Sequence, residues 1–136
     1  MKAGLVAAVV SLLPNLVSAE GCALSGGVVL PKVEALNQLM LDLEVTRFAA
    51  RIEAELGGSI ADPMNQVAEM YSGGFNGCAT IAQRVDQGGM VQNLVMFDGK
   101  TAPLFFYWLA VKDGEREVIL SFKFSTALDD MLAVLR

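Results

Sequence analysis

Two Asp-Gly pairs, Asp98-Gly99 and Asp113-Gly114, stand between apolar runs in the second half of this chain. Asp-Gly in that setting is the strongest short-range signal for a β-hairpin, because glycine accepts the positive φ of a tight turn. Gly88-Gly89 adds a third interruption. The segments 78–85, 90–97, 103–111 and 117–124 between these breaks are rich in Val, Ile, Phe, Tyr and Met, and read as four strands. Short connections place consecutive strands side by side, so the expected sheet is an antiparallel meander.

Helical spacing precedes the strands. Val33, Leu36, Leu39, Met40 and Leu43 share one side of a helical wheel, whereas Leu41, Val45, Phe48, Ile52 and Leu56 share nearly the opposite side. One straight helix would need burial all round to carry both stripes, so two helices with a break near 42–46 are expected. Gly57-Gly58 ends the second. Asp62 as N-cap and Pro63 at the first helical position open a third, with Met64, Val67, Ala68 and Tyr71 as its apolar stripe. The tail 126–136 carries Asp129 and Asp130 early and Arg136 last, an order that suits a short helix, with a strand over 131–135 as the alternative. The expected fold class is α+β: N-terminal helices packed on a curved four-stranded antiparallel meander, closed by a short C-terminal helix.

The first 21 residues, "MKAGLVAAVVSLLPNLVSAEG", hold one positive charge at Lys2, an apolar run from Leu5 to Leu13, and Val17-Ser18-Ala19. That is the layout of a secretory signal peptide over residues 1–19, cleaved after Ala19. The run is short of the roughly 20 apolar residues that span a bilayer, so no stable membrane insertion is expected after cleavage. Export leads to a periplasmic or extracellular location. Residues 20–31 are small and glycine-rich and read as a flexible lead-in, leaving 32–136 as a single domain. Cys22 and Cys78 are an even pair for an oxidising compartment and permit one disulfide; two free thiols are the competing reading.

Composition excludes some functions. The net charge of −5, with ten Lys and Arg, argues against a nucleic-acid partner, which needs a basic face. The chain has no histidine, the side chain most often used as a general base near neutral pH. No metal-ligand cluster, phosphate loop or nucleophile motif occurs, and no cofactor is implied. Pairs such as Arg51 and Glu55 have the i,i+4 spacing of a solvated helix face.

The helical opening followed by "FNGCATIAQRV", "MVQNLVMF" and "APLFFYWLAVKDGEREVILSFKF" is similar to small members of the nuclear transport factor 2-like superfamily. The resemblance implies a cone-like fold in which a curved sheet wraps helices, often around a pocket. Its enzymes, such as ketosteroid-isomerase-like proteins, use an aspartate base with a polar oxyanion partner. No catalytic residue carries over, because no position here matches theirs. The small exported members that the chain resembles more closely have no assigned role.

If each Asp-Gly pair is a two-residue turn, Leu109 faces Val118, Tyr107 faces Leu120, Phe105 faces Phe122 and Gln92 faces Phe105. Met90, Gln92, Leu94, Met96, Phe105, Tyr107, Leu109, Val118, Leu120, Phe122 and Phe124 then meet the helices. Tyr71, Gln92, Met96, Phe105, Tyr107 and Phe122 would line a pocket for a small apolar ligand. Phe97, Phe106 and Trp108 would lie outside, an apolar strip suited to a homodimer joined through the outer sheet face. The expected function is an exported, non-enzymatic small-molecule-binding or protein-interaction module. The alternatives are a pocket enzyme of the isomerase or dehydratase type, with Asp98 as a weak candidate base, and a carrier of apolar molecules.

Overall fold

The computed structural model describes residues 21–135, so the signal-peptide segment lies outside the described residues. Three helices come first: α1 (Pro31–Leu41), α2 (Val45–Leu56) and α3 (Ala61–Met70). Four strands follow, β1 (Phe75–Val85), β2 (Met90–Gly99), β3 (Leu104–Asp113) and β4 (Arg116–Ser125), and then α4 (Leu128–Val134). The sheet is an antiparallel meander in the order β1-β2-β3-β4. The α+β fold class expected from the sequence is what the chain adopts, and the tail over 128–134 is helix rather than strand.

The two-stripe argument locates the break between α1 and α2. Val33, Leu36, Leu39 and Met40 are buried on α1, and Val45, Phe48, Ala49 and Ile52 on α2. Leu43 turns the corner at φ +57, with its amide bonded to the Met40 carbonyl and the Glu44 amide to that of Leu39. At α3 the expected cap is shifted: Ile60 is the N-cap without a side-chain bond, and Asp62 lies within the first turn. An acidic side chain there still favours the helix dipole, and Pro63 is tolerated because first-turn amides have no intrahelical acceptor.

Pairing corrects the expected register. At the last hairpin Asp113 pairs with Arg116, so the turn is Gly114-Glu115, with Gly114 at φ +62. The β2–β3 connection is longer than two residues, since Phe97 already pairs with Leu104. A bulge in β4 then inserts Leu120: Ala110 pairs with Ile119, but Leu109 pairs with Ser121. One inserted residue moves every following side chain to the other face. Trp108 therefore lies beside Phe122, and Phe106 beside Phe124.

The face that meets the helices carries Val91, Val95, Phe97, Leu104, Phe106, Trp108, Ala110 and Ile119, with Phe122 and Phe124 packed against them. This reverses most of the expected assignment. Phe122 and Phe124 are on the helix side as read, whereas Gln92, Leu94, Met96, Phe105, Tyr107 and Leu109 are on the other side. Phe97, Phe106 and Trp108, expected as an outer strip, are each 0% exposed. Both faces of β3 are buried because α4 folds back over the second one, setting Met131, Val134 and Leu135 against Leu94, Phe105, Tyr107 and Leu109. That accounts for a strand with no polar alternation.

Long-range ties hold the start of the domain, two of them at its cysteine and at the first turn of α1. Cys22 and Cys78 form a disulfide with Cα atoms 5.1 Å apart. The Glu117 carboxylate of β4 accepts the amides of Lys32 at 2.8 Å and Val33 at 3.1 Å, capping α1, for which Leu30 supplies no side-chain cap. Glu117→Ala is expected to cost about 2 kcal/mol in urea unfolding, the scale of a lost cap with one buried and one partly buried amide left unpaired. A loss below about 0.5 kcal/mol, the range of ordinary surface changes, would show that water replaces the carboxylate. No described helix is long and apolar enough to cross a membrane.

Candidate functional site

The six residues expected to line one pocket fall into separate places. Gln92, Met96, Phe105 and Tyr107 share the outer sheet face beneath α4, where the Tyr107 hydroxyl donates to Gln92 Oε1 at 2.9 Å. The pair is buried, at 5% and 4% exposure for Gln92 and Tyr107, so this bond meets a demand that burial imposes. Tyr71 lies at the end of α3, with its ring 5.0 Å from that of Phe75 and its hydroxyl donating to the Pro103 carbonyl at 3.0 Å. Burial pushes the Tyr71 phenol above its ordinary value of 10.0, which keeps it a neutral donor. Phe122 belongs to the core, 4.6 Å from Trp108 and 4.8 Å from Phe106 between ring centroids.

A cone-shaped fold with an internal ligand site needs space between helices and sheet. Here that space holds Phe48, Phe97, Phe106 and Trp108, all fully buried. Their rings meet edge-on or tilted, at 5.5 Å for Phe48–Phe106 and 4.8 Å for Phe97–Phe106. Such offset and tilted geometries are the favoured ones for aromatic packing.

Glu117 is buried, and each of its carboxylate oxygens accepts a helix amide. Asp98, weighed from sequence as a general base, is exposed at the end of β2. Among the described residues, no three His, Cys, Asp or Glu side chains come together as a metal site.

Among the described residues, two surface recesses bear on a site. The first, about 170 Å³, sits at the β3–β4 hairpin and is lined by Val111, Asp113, Arg116, Val118 and Leu120. Val111 and Val118 are cross-strand partners on the outer face, beyond the part that α4 covers. Leu120 is the bulged residue, 46% exposed. Asp113 and Arg116 flank the apolar floor as the last cross-strand pair of the hairpin, and no ion pair joins them. The second recess, about 320 Å³, lies between α2 and α3 against Val45, Thr46, Ala49, Ala50, Glu53, Ala61 and Asn65.

The hairpin site is not visible in the sequence, because alternation groups Val118 and Leu120 with Phe122 and Phe124 on the helix side. β4 carries no signal of the extra residue, because Val118, Leu120, Phe122 and Phe124 alternate with Ile119, Ser121 and Lys123 at period two, and the bulge shows only in the pairing. No protein-family model, curated protein or solved structure matches this chain.

Proposed function

We propose that this chain is an exported protein-interaction module that receives one apolar side chain of a partner protein at the β3–β4 hairpin. The carrying observation is the size and lining of the hairpin recess. About 170 Å³ between Val111, Val118 and Leu120 is close to the roughly 150 Å³ that holds a benzene-sized group. It falls below the roughly 300–1,000 Å³ of ordinary small-molecule sites. One aromatic or branched side chain fits, and a steroid-sized ligand does not. Asp113 and Arg116 on either side offer one acceptor and one donor to the backbone or charges around that side chain. Such a charged rim orients a partner more than it adds affinity.

Export is part of the proposal. It is supported by the Val17-Ser18-Ala19 pattern and by the Cys22–Cys78 bond, since disulfides persist in oxidising compartments. The similarity to small nuclear transport factor 2-like proteins remains part of the same reading and rests on the order of helices and meander. A carrier of small molecules is a second reading, for which the 320 Å³ recess between α2 and α3 is the supporting observation.

The test is a photo-crosslinking residue placed at Leu120 and, separately, at Thr46, in protein purified from its host. The proposal expects a protein adduct at position 120 and none at 46. With the crosslinker kept at 120, Arg116→Asp on the rim of the recess should weaken that adduct while shifting stability by no more than about 0.5 kcal/mol, as for other exposed sites. A small-molecule adduct at 46 with nothing at 120 would replace the proposal with the carrier.

A further inference from the structure

β1 is an edge strand, and an edge presents unpaired N–H and C=O groups to any passing chain. Residues 21–30, expected from their glycines to be a flexible lead-in, are instead fixed along this edge. Thr80 donates both its backbone N–H, at 2.7 Å, and its hydroxyl, at 2.6 Å, to the Cys22 carbonyl. Further along, the Gln83 amide grips Val28 in both directions. Oε1 accepts the Val28 amide and Nε2 donates to the Val28 carbonyl, each at 2.8 Å. A neighbouring strand residue would exchange this same pair of bonds; here a side-chain amide supplies it.

The grip is itself positioned. Gln83 Nε2 also donates to Oδ1 of Asn93 at 2.8 Å, and Asn93 is 1% exposed. Gly27 lies where the clamp comes closest: a Cβ there would be 2.6 Å from Gln83 Oε1, so a larger residue would push the clamp aside. The segment is thus recognised through its backbone and one glycine. These contacts do not depend on which chain supplies the segment. The Cys22–Cys78 bond ties its start to its own body, and its other end runs through Leu30, 0% exposed, into α1. Ile81 and Val85 of the same edge strand are 43% and 53% exposed, so β1 carries apolar surface that a second strand would cover.

We propose that the β1 edge is a docking site for the segment 21–30, latched in cis by the disulfide, and that the reduced edge accepts the same segment from a second copy of this chain. A dithiol opens the latch by passing two electrons and two protons to the S–S bond. Cys22 and Cys78 become thiols, and the dithiol closes to its own disulfide. A low-molecular-weight disulfide recloses it. Cys22 of one copy exchanges onto that reagent and releases one small thiol; Cys78 of the other copy then attacks the Cys22 sulfur and releases the second. The product is a segment-exchanged dimer whose contacts repeat those of the monomer.

Single-cysteine variants test this directly. Cys22→Ser keeps only Cys78, and Cys78→Ser keeps only Cys22, so neither can latch itself. The two full-length variants are mixed in a small-thiol redox buffer and the covalent products are weighed by mass spectrometry. The proposal expects the Cys22–Cys78 heterodimer to exceed either homodimer by about tenfold, whereas unguided coupling gives only about twofold. The twofold ratio would overturn it. Hydrogen exchange on wild-type protein with and without dithiol gives a second measurement that does not depend on the variants folding. The Thr80 amide should exchange at least about tenfold faster on reduction while the Trp108 amide stays protected. Equal acceleration of both, or of neither, would show that the segment is not a separable unit and would also overturn the proposal.

Discussion

Trp108→Lys is expected to abolish the folded state. The indole is 0% exposed and packs against Phe48, Phe106 and Phe122 at centroid distances of 6.2, 6.0 and 4.6 Å. Removing a buried aromatic side chain of this size costs about 3–5 kcal/mol. The ammonium that replaces it would be enclosed among the rings of Phe48, Phe106 and Phe122. An unpaired buried charge adds a further penalty of about 3–5 kcal/mol unless the lysine gives up its proton. Trp108 also donates from Nε1 to Oδ1 of Asn37 at 3.0 Å, and Asn37 is itself 0% exposed. Asn37 Nδ2 already lacks a hydrogen-bond partner, so losing the indole would leave both ends of that amide unsatisfied. The sum reaches the total stability of an ordinary domain, about 5–15 kcal/mol. Near-UV circular dichroism and thermal unfolding would read the result. Trp108→Phe separates the causes, since it keeps a ring and loses the hydrogen bond, for about 1–3 kcal/mol. A Trp108→Lys protein that melts cooperatively within about 1 kcal/mol of wild type, far below the cost of a buried charge, would mean that this sheet face meets water.

That expectation is the opposite of the one the sequence supports, and the difference has one physical source. Period-two alternation was legible in β4, where Val118, Leu120, Phe122 and Phe124 alternate with Ile119, Ser121 and Lys123, and the helix break and the meander order followed from local chemistry. Alternation says which residues share a face, but not which face the helices choose. In β3 that choice is hidden, because Phe105 and Tyr107 on one side are as apolar as Phe106 and Trp108 on the other. Only the neighbours can decide. Asn93, Phe97 and Ile119 sit with Trp108, whereas Gln92 and Ser121 sit on the face of Tyr107. The bulge at Leu120 then brings Phe122 and Phe124 to the helix side without moving Val118 there. It also leaves Leu120 in the open hairpin recess, so the feature that defeated the register argument is the one that forms the candidate site. The expected pocket failed for the same reason: its residues were grouped by a face that the bulge divides.

Loss of the Cys22–Cys78 bond is expected to lower the unfolding free energy by about 4 kcal/mol. The two cysteines are 56 residues apart in sequence, and a cross-link closing a loop of that size restricts the unfolded chain by about this amount in the chain-entropy model. In that model the effect belongs to the unfolded state, and it comes in addition to the packing of Cys22, which is 1% exposed in the core with Cys78 against it. The measurement is denaturant unfolding of wild type with and without dithiol, and of the doubly substituted Cys22→Ser, Cys78→Ser protein. A shift in midpoint with a steeper slope is expected, since an unconstrained chain exposes more surface on unfolding. If only the native contacts of residues 21–30 mattered, the slope would stay constant, and the loss would be nearer the worth of a few hydrogen bonds, about 1 kcal/mol each. A loss below about 1 kcal/mol would show that the unfolded chain already holds these two segments together, against the chain-entropy model. The size of the expected loss also bears on where the protein works. A domain with about 5–15 kcal/mol in hand keeps its fold in an oxidising compartment, and after losing roughly 4 kcal/mol it is left with a stability that one core substitution can exhaust.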